Sequence, residues 1–139
     1  MNNKTLIGGI VGGIVYFFLG WLFYGMLLAD FTTSNFNQCA ALPMDSMIWW
    51  ALIASNFIWG FFSAVIFEWT NTSSPMAGAQ KGAIIGIMTG LAFDLGMYSM
   101  TTIYSNMTAL IVDVATMTLM SAIVGAVIGY IRGMKKTEA

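Results

Sequence analysis

Four long apolar stretches separated by short polar connections dominate the pattern of hydrophobic and polar positions. The stretches cover residues 6–28, 47–67, 78–100 and 107–131. Each has roughly the 20 residues that an α-helix needs to cross the hydrocarbon core of a bilayer. The third stretch is the least regular, because Lys81 blurs its beginning and Asp94 interrupts it. The pattern predicts four transmembrane helices.

The composition favours the same interpretation. Hydrophobic residues make up 58% of the chain and charged residues only 8%, against about 25% charged residues in a soluble domain. Because this number of charges is too small to cover the surface of a soluble protein of this size, we expect most of the surface to face the lipid bilayer. We therefore expect an all-α membrane protein, a single four-transmembrane-helix bundle over residues 1–139. The net charge of −1 argues against a nucleic-acid partner.

The basic residues predict how the helices are oriented. Lys and Arg are enriched in the cytoplasmic connections of membrane proteins. Asp30 and Asp45 lie in the first connection, which has no Lys or Arg, and the third connection is uncharged. All five basic residues would then lie on one side of the membrane: Lys4, Lys81, Arg132, Lys135 and Lys136. This predicts that both termini are cytoplasmic and that the long first connection is an outer loop that folds over the bundle.

Several classes of chemistry lack their usual residues. The chain has no His, which is the commonest metal ligand and the usual proton shuttle near neutral pH. Cys39 is the only cysteine, so an intrachain disulfide and a Cys/His nucleophile are excluded. A Cu(I) site of Cys39 with Met44 and Met47 is rejected, because 12 methionines are spread along the chain. We expect no catalytic residue, metal or cofactor, and no enzyme activity.

Small residues recur every four positions along the predicted helices. In lipid, helices associate largely through close backbone approach at such residues. The spacing therefore predicts helix-packing ridges, and surplus ridges would allow a homo-oligomer or a membrane-protein partner. The ridge residues are Gly8, Gly12, Gly82, Gly86, Gly90, Gly125 and Gly129.

Asp94 and Asp113 are the only acids well inside the predicted spans. An ionised Asp at the bilayer centre costs about 2.5–3.5 kcal/mol on insertion scales, so such residues normally face the interior and have a partner. Both acids continue the ridges of their helices and flank the short third connection almost symmetrically. We expect the two carboxyl groups at the same depth, and close together if the ridges face each other.

Two interpretations of this pair are open. In the structural one, each Asp accepts hydrogen bonds from nearby donors such as Tyr98, Ser99 and Thr116. In the functional one, the pair is a proton or cation site. No basic residue is expected at that depth, and two neighbouring carboxyl groups in a low dielectric cannot both ionise cheaply. One of them would then keep its proton.

Two smaller expectations concern the ends of helices. Asp45 or Ser46 is predicted to cap the beginning of the second helix, because both side chains can accept a hydrogen bond from a free backbone N–H. Glu68 and Lys81, at opposite ends of the second connection, are predicted to form a charge pair at the membrane interface.

The first helix also carries an aromatic and glycine-rich motif. Residues 20–25 read Gly-Trp-Leu-Phe-Tyr-Gly, and Asp30-Phe31 follows. This motif resembles the first helix of small four-span bacterial proteins classed as a domain of unknown function, and the layout is similar along nearly the whole chain. The resemblance implies a multi-pass protein of the bacterial inner membrane and does not indicate any biochemical activity. Small multidrug exporters have a similar size, but they carry an essential Glu in the first helix, where this chain has none.

Two functions therefore remain open at the level of sequence. The first is a structural or accessory membrane component. The second is a small proton- or cation-linked transporter or pore that uses Asp94 and Asp113. A dry, fully packed bundle would favour the first function, and a water-accessible cavity that reaches the two acids would favour the second.

Overall fold

A computed structural model describes residues 2–134, with the backbone alone at Ala40. The described residues form helices and turns, with no strand and one isolated bridge between Phe36 and Tyr104. Lys135 and Lys136, two of the basic residues used to predict orientation, lie outside the described residues. The helices are α1 (Asn3–Leu22, continued by a π-helix at Phe23–Leu27), α2 (Ala29–Asn35), α3 (Trp49–Trp69), α4 (Pro75–Met100) and α5 (Met107–Gly133).

Four helical segments are long and apolar enough to cross a membrane, which confirms the prediction of an all-helical chain with four such helices. Their bounds are Asn3–Leu27, Trp49–Trp69, Pro75–Met100 and Met107–Gly133. The third begins three residues before the predicted start at position 78. Its beginning is fixed by Ser74, whose hydroxyl accepts a hydrogen bond from the backbone N–H of Ala77, and by Pro75 in the first turn.

The predicted cap of the second long helix is wrong. Asp45 and Ser46 belong to a separate short 3₁₀ turn (Met44–Ser46). Helix α3 begins at Trp49, and the residue before it, Ile48, makes no capping hydrogen bond through its side chain. The chain therefore makes one more turn between Pro43 and the helix than the sequence pattern indicates.

The long helices form two antiparallel hairpins placed side by side. Helix α1 packs against α3, α4 packs against α5, and α1 also packs against α5, whereas α3 touches α4 and α5 only locally. The order across the bundle is therefore α3, α1, α5, α4. The hydroxyl of Tyr16 on α1 donates a hydrogen bond of 3.0 Å to Ser121 on α5, which links the hairpins in the buried middle of the bundle.

Glycines bring the backbones of α4 and α5 into direct contact. A Cβ atom on Gly82 would overlap the backbone carbonyl group of Ser121, and one on Gly78 would overlap that of Gly125. At Gly86 an added Cβ would lie 2.8 Å from the carbonyl oxygen of Met117. The contact widens towards Gly90, where the nearest atoms would be 3.6 Å away. The predicted ridges therefore face each other, and Gly125 and Gly129 form the α5 side of the contact.

The glycines of α1 serve two neighbours. Gly8 and Gly12 face the fully buried side chain of Ile128 on α5, at 3.2 and 2.8 Å from an added Cβ. On the adjoining face, Gly13 packs closely against the backbone of α3 at Gly60. Gly8 and Gly12, the predicted ridge, thus pack against α5 of the second hairpin. Gly13, on a second glycine face, packs against α3 of the first hairpin.

Three basic residues lie at the same end of the bundle, which we call the basic end. The ammonium group of Lys4 donates to the carbonyl oxygen of Arg132 at 3.1 Å. Arg132 donates to Thr5 and, at 3.0 Å, to the carbonyl oxygen of Thr72. Lys81 donates to the hydroxyl of Thr72 at 2.8 Å. Lys4, Lys81 and Arg132 therefore share one polar network.

The predicted charge pair between Glu68 and Lys81 is not formed in the described part of the chain. Glu68 accepts instead from the backbone N–H of Asn2 at 3.2 Å. Lys81 reaches back over the turn to Thr70 and Thr72. Glu68 therefore binds the segment before α1, and Lys81 binds the connection between α3 and α4.

Candidate functional site

Asp94 and Asp113 lie on adjacent helices, towards the opposite end of the bundle. We call this the loop end, since it holds the connection 28–48 and the turn 101–106. Asp94 is only 1% exposed, and Asp113 is partly buried. The structure brings the two predicted acids into one cluster with two tyrosines, Tyr24 and Tyr104.

Each carboxyl oxygen of Asp113 accepts one hydrogen bond. The hydroxyl group of Tyr24 donates to its Oδ1 atom, and that of Tyr104 donates to Oδ2 at 2.8 Å. Tyr24 belongs to the π-helix Phe23–Leu27 that continues α1. Such one-turn π segments occur frequently at functional sites, because they turn side chains away from the regular helical register. The carboxylate of Asp113 thus joins the first hairpin, the second hairpin and the turn between α4 and α5.

Asp94 has no comparable support. Neither of its carboxyl oxygens has a hydrogen-bond partner among residues 2–134, although both are buried. Tyr104 lies close to Asp94, but its single hydroxyl hydrogen is used on Asp113. Buried polar groups without partners are rare and need a specific explanation. Asp94 is therefore the unusual member of the cluster.

Tyr104 connects the two acids. Burial, the largest effect, and the hydrogen bond to Asp113 both raise the pKa of Tyr104 above its usual range. The phenol therefore stays neutral and keeps its hydrogen. Its oxygen still has lone pairs that can accept a hydrogen bond.

The backbone around Tyr104 is held from the other hairpin. Segment 35–37 pairs with segment 103–105 through two backbone hydrogen bonds of 2.8 and 3.0 Å. The rings of Phe36 and Tyr104 meet edge to face, with centroids 5.1 Å apart. The long connection thus folds over the loop end, as the sequence predicts, and fixes Tyr104 above the acids.

The donors expected from the sequence are not the ones used. Ser99 and Thr116 donate to carbonyl oxygens of their own helices, at 2.8 Å in each case, and Tyr98 is 39% exposed. Tyr24 and Tyr104 take their place. Tyr24 belongs to the aromatic and glycine-rich motif of residues 20–25, which assigns it no role, and Tyr104 lies in a turn where nothing in the local sequence distinguishes it.

Two cavities open at the loop end beside the cluster. Their volumes are about 500 and 590 Å³, and Tyr24 lines both. The larger, which we call the aromatic cavity, lies between α1 and the first half of α3 and is lined by Phe17, Trp21, Tyr24, Trp49 and Asn56, among others. The carboxyl groups themselves are not part of either lining, so Tyr24 separates the open space from Asp113.

The donor set of the cluster limits its chemistry. Among residues 2–134, no three His, Cys, Asp or Glu side chains converge on one point. The cluster offers two carboxyl groups and two phenols, and no basic side chain lies at this end of the described bundle. A proton shared between these oxygens is the simplest species that the arrangement can bind.

No protein-family model, curated protein or solved structure matches this chain. The interpretation of the cluster rests on its geometry alone. The resemblance to small four-span bacterial membrane proteins stays a prediction.

Proposed function

We propose that this protein is a small multi-pass membrane transporter that binds one exchangeable proton at Asp94. The observation that carries the proposal is the contrast between the two acids. Asp113 has two tyrosine donors, as a structural acid should. Asp94 is 1% exposed and accepts no hydrogen bond from any of residues 2–134.

Protonation of Asp94 would explain why it can be buried without a hydrogen-bond donor. An ionised Asp94 would be a buried charge without compensation, which is among the most costly arrangements in a protein interior. A neutral Asp94 gains one O–H donor, and the oxygen of Tyr104 is free to accept it because the Tyr104 hydrogen points to Asp113. A continuous chain then runs from Asp94 through Tyr104 to Asp113, and one proton can be shared along it.

The distribution of basic residues supports a location and an orientation for this site. Lys4, Lys81 and Arg132 share the basic end, and basic residues favour the cytoplasmic side. We place both termini in the cytoplasm and the loop end outside, in a bacterial inner membrane. The cluster then lies in the outer half of the bilayer, below a connection that faces the exterior.

A second candidate function is a structural or accessory membrane component, without catalysis. The close glycine contacts in the half of the bundle near the basic end favour it, since they leave no room for a pathway there. The same ridges are used within the chain, so a homo-oligomer or membrane-protein partner would need another surface.

Infrared spectroscopy and proton flux together test the proposal. We expect a protonated-carboxyl band in the purified protein that disappears as the pH rises. The band should be absent from Asp94→Asn and unchanged in Asp30→Asn, an exposed acid of α2. Proteoliposomes should take up protons down a gradient, and Asp94→Asn should abolish this flux. Absence of the band would overturn the proton site, and a normal band without flux would favour the accessory function.

A double-mutant cycle tests whether the acids act as one unit. In Asp94→Asn and Asp113→Asn, each change alters the partner on which the other acid depends. We therefore expect the two effects on the free energy of unfolding not to add, with a coupling of about 0.5–3 kcal/mol. Strictly additive effects would mean that the chain from Asp94 to Asp113 does not exist.

A further inference from the structure

The aromatic cavity lies beside the acid cluster and has the size and lining of a binding site. Its volume of about 590 Å³ falls within the range of roughly 300–1,000 Å³ typical of small-molecule sites. It forms because α1 and α3 touch through Gly60 and Gly13 and leave space between them nearer the loop end. The lining is mostly apolar, with a few polar groups such as Thr32 and Gln38 near the mouth.

The charges around the cavity favour a cation. All residues that line it lie between positions 17 and 56, and the chain has no Lys or Arg between Lys4 and Lys81. An anion would therefore meet no positive partner in these segments. A cation would find Trp21 and Trp49 among the lining residues, and indole rings attract positive charge through their faces. The exposed acid Asp30 follows the lining residue Ala29 in α2.

Tyr24 connects this cavity to the acid cluster. Tyr24 is one of the residues that line the cavity, and its hydroxyl donates to Asp113. A positive charge held in the cavity would thus be one phenol away from the Asp113 carboxylate.

We propose that the aromatic cavity binds an organic cation with apolar substituents, such as a quaternary ammonium or phosphonium compound, as the substrate of the transporter. The inference rests on the proposed function, because it identifies the substrate class of the same site. The aromatic faces hold the charge, the apolar lining holds the substituents, and Asn56 and Gln38 limit how the ligand lies. Entry is from the loop end.

Proton and cation binding oppose each other in this arrangement. The titratable groups around Asp113 are Tyr24 from the π-helix, Tyr104 from the turn and Asp94 from α4, and the first half of α3 contributes none. Asp30 is the acid of α2. A cation in the cavity stabilises the ionised form of the cluster and so favours release of the shared proton. Cation affinity should therefore rise with pH.

Binding of tetraphenylphosphonium to the purified wild-type protein tests the site directly. Tetraphenylborate, which has the same shape and the opposite charge, is the matched control ligand. We expect calorimetry to detect the cation and not the anion. Trp21→Leu and Trp49→Leu should each weaken cation binding about two- to thirtyfold, the range that the loss of one cation–π contact implies. Trp69→Leu, which changes an exposed tryptophan at the far end of α3, should leave the affinity unchanged.

The outcomes separate this inference from the proton site. Equal binding of cation and anion, or equal weakening in Trp69→Leu, would overturn the cavity as a cation site. If the carboxyl band and proton flux persist without cation binding, the inference is wrong and the proton function stands. A cation affinity that changes neither with pH nor in Asp94→Asn would overturn the claim that the cavity serves the proton-linked function.

Discussion

Tyr24 and Asp113 are separated by 89 positions in the chain, yet the hydroxyl of Tyr24 donates a hydrogen bond to the carboxylate of Asp113. The bond joins the first hairpin to the second near the loop end. Together with the bond from Tyr16 to Ser121, it forms a pair of side-chain links between α1 and α5. The two tyrosines are eight positions apart, about two helical turns, and Tyr24 lies in the π-helix that continues α1.

Removing the Tyr24 hydroxyl should destabilise the contact between the hairpins. Tyr24→Phe keeps the ring but leaves Asp113 with one donor. Because hydrogen bonds to charged groups contribute about 1.5–3 kcal/mol, we expect a loss of that order in the free energy of unfolding. Denaturant unfolding in detergent micelles measures it.

The matched control is Tyr98→Phe on α4. Tyr98 is 39% exposed, and surface substitutions usually change stability by less than about 0.5 kcal/mol. Equal losses in the two variants would show that the bond from Tyr24 to Asp113 contributes no specific stability.

The glycine contact between α4 and α5 makes a second stability prediction. In Gly82→Ala the added methyl group would overlap the carbonyl group of Ser121, and backbone atoms cannot rotate away. Overpacking of this kind costs about 1–3 kcal/mol, so the melting temperature in detergent should fall. In Gly96→Ala, on the same helix, the methyl group would have no neighbour within 4 Å. The better helix propensity of Ala should then raise stability slightly, and a rise in both variants would contradict the contact.

Alkaline pH should weaken the fold through Tyr104. Tyrosine in an unfolded chain ionises near pH 10, whereas burial and the hydrogen bond to Asp113 raise the pKa of Tyr104 in the folded protein. Above about pH 10 the unfolded state therefore loses a proton that the folded state keeps, and stability falls by up to about 1.4 kcal/mol per pH unit. Unfolding measured from pH 9 to 11.5 should show a shallower decline for Tyr104→Phe. Parallel curves would mean that Tyr104 titrates normally.

The orientation can be tested by labelling. Cys39 is exposed at the loop end, so a membrane-impermeant maleimide should react with it in intact cells. In a Cys39→Ser background, a cysteine introduced by Ser73→Cys, in the exposed turn at the basic end, should react only after the membrane is opened. The reverse pattern would place the basic end outside.

The long helices and the contact between α4 and α5 could be predicted from the sequence because they depend on local patterns. Apolar length sets the spans, and a four-residue spacing of glycines sets the face on which Gly82 and Gly86 meet α5. The two acids continue these ridges, so their placement on facing helices also followed. Placing them in one region of the bundle needed no information beyond helical periodicity and a short turn.

The partners of the acids could not be predicted in the same way. Tyr24 reaches Asp113 through a π-helical turn, which shifts the register that periodicity assumes. Tyr104 is placed by backbone pairing with segment 35–37, a contact between distant and irregular parts of the chain. The contrast between a satisfied Asp113 and an unsatisfied Asp94 follows from these two contacts, so only the folded structure reveals it.

The pairing of segment 35–37 with segment 103–105 also has a consequence for biosynthesis. The first segment precedes the second by 68 positions and is translated earlier, so the backbone groups that pair with it do not yet exist when the first hairpin is complete. Until the second hairpin follows, the N–H of Asn37 and the carbonyl of Asn35 must be solvated by water. The loop end can therefore close only after the second hairpin has been made, and the acid cluster, which combines Tyr24 with Tyr104 and Asp113, is assembled no earlier.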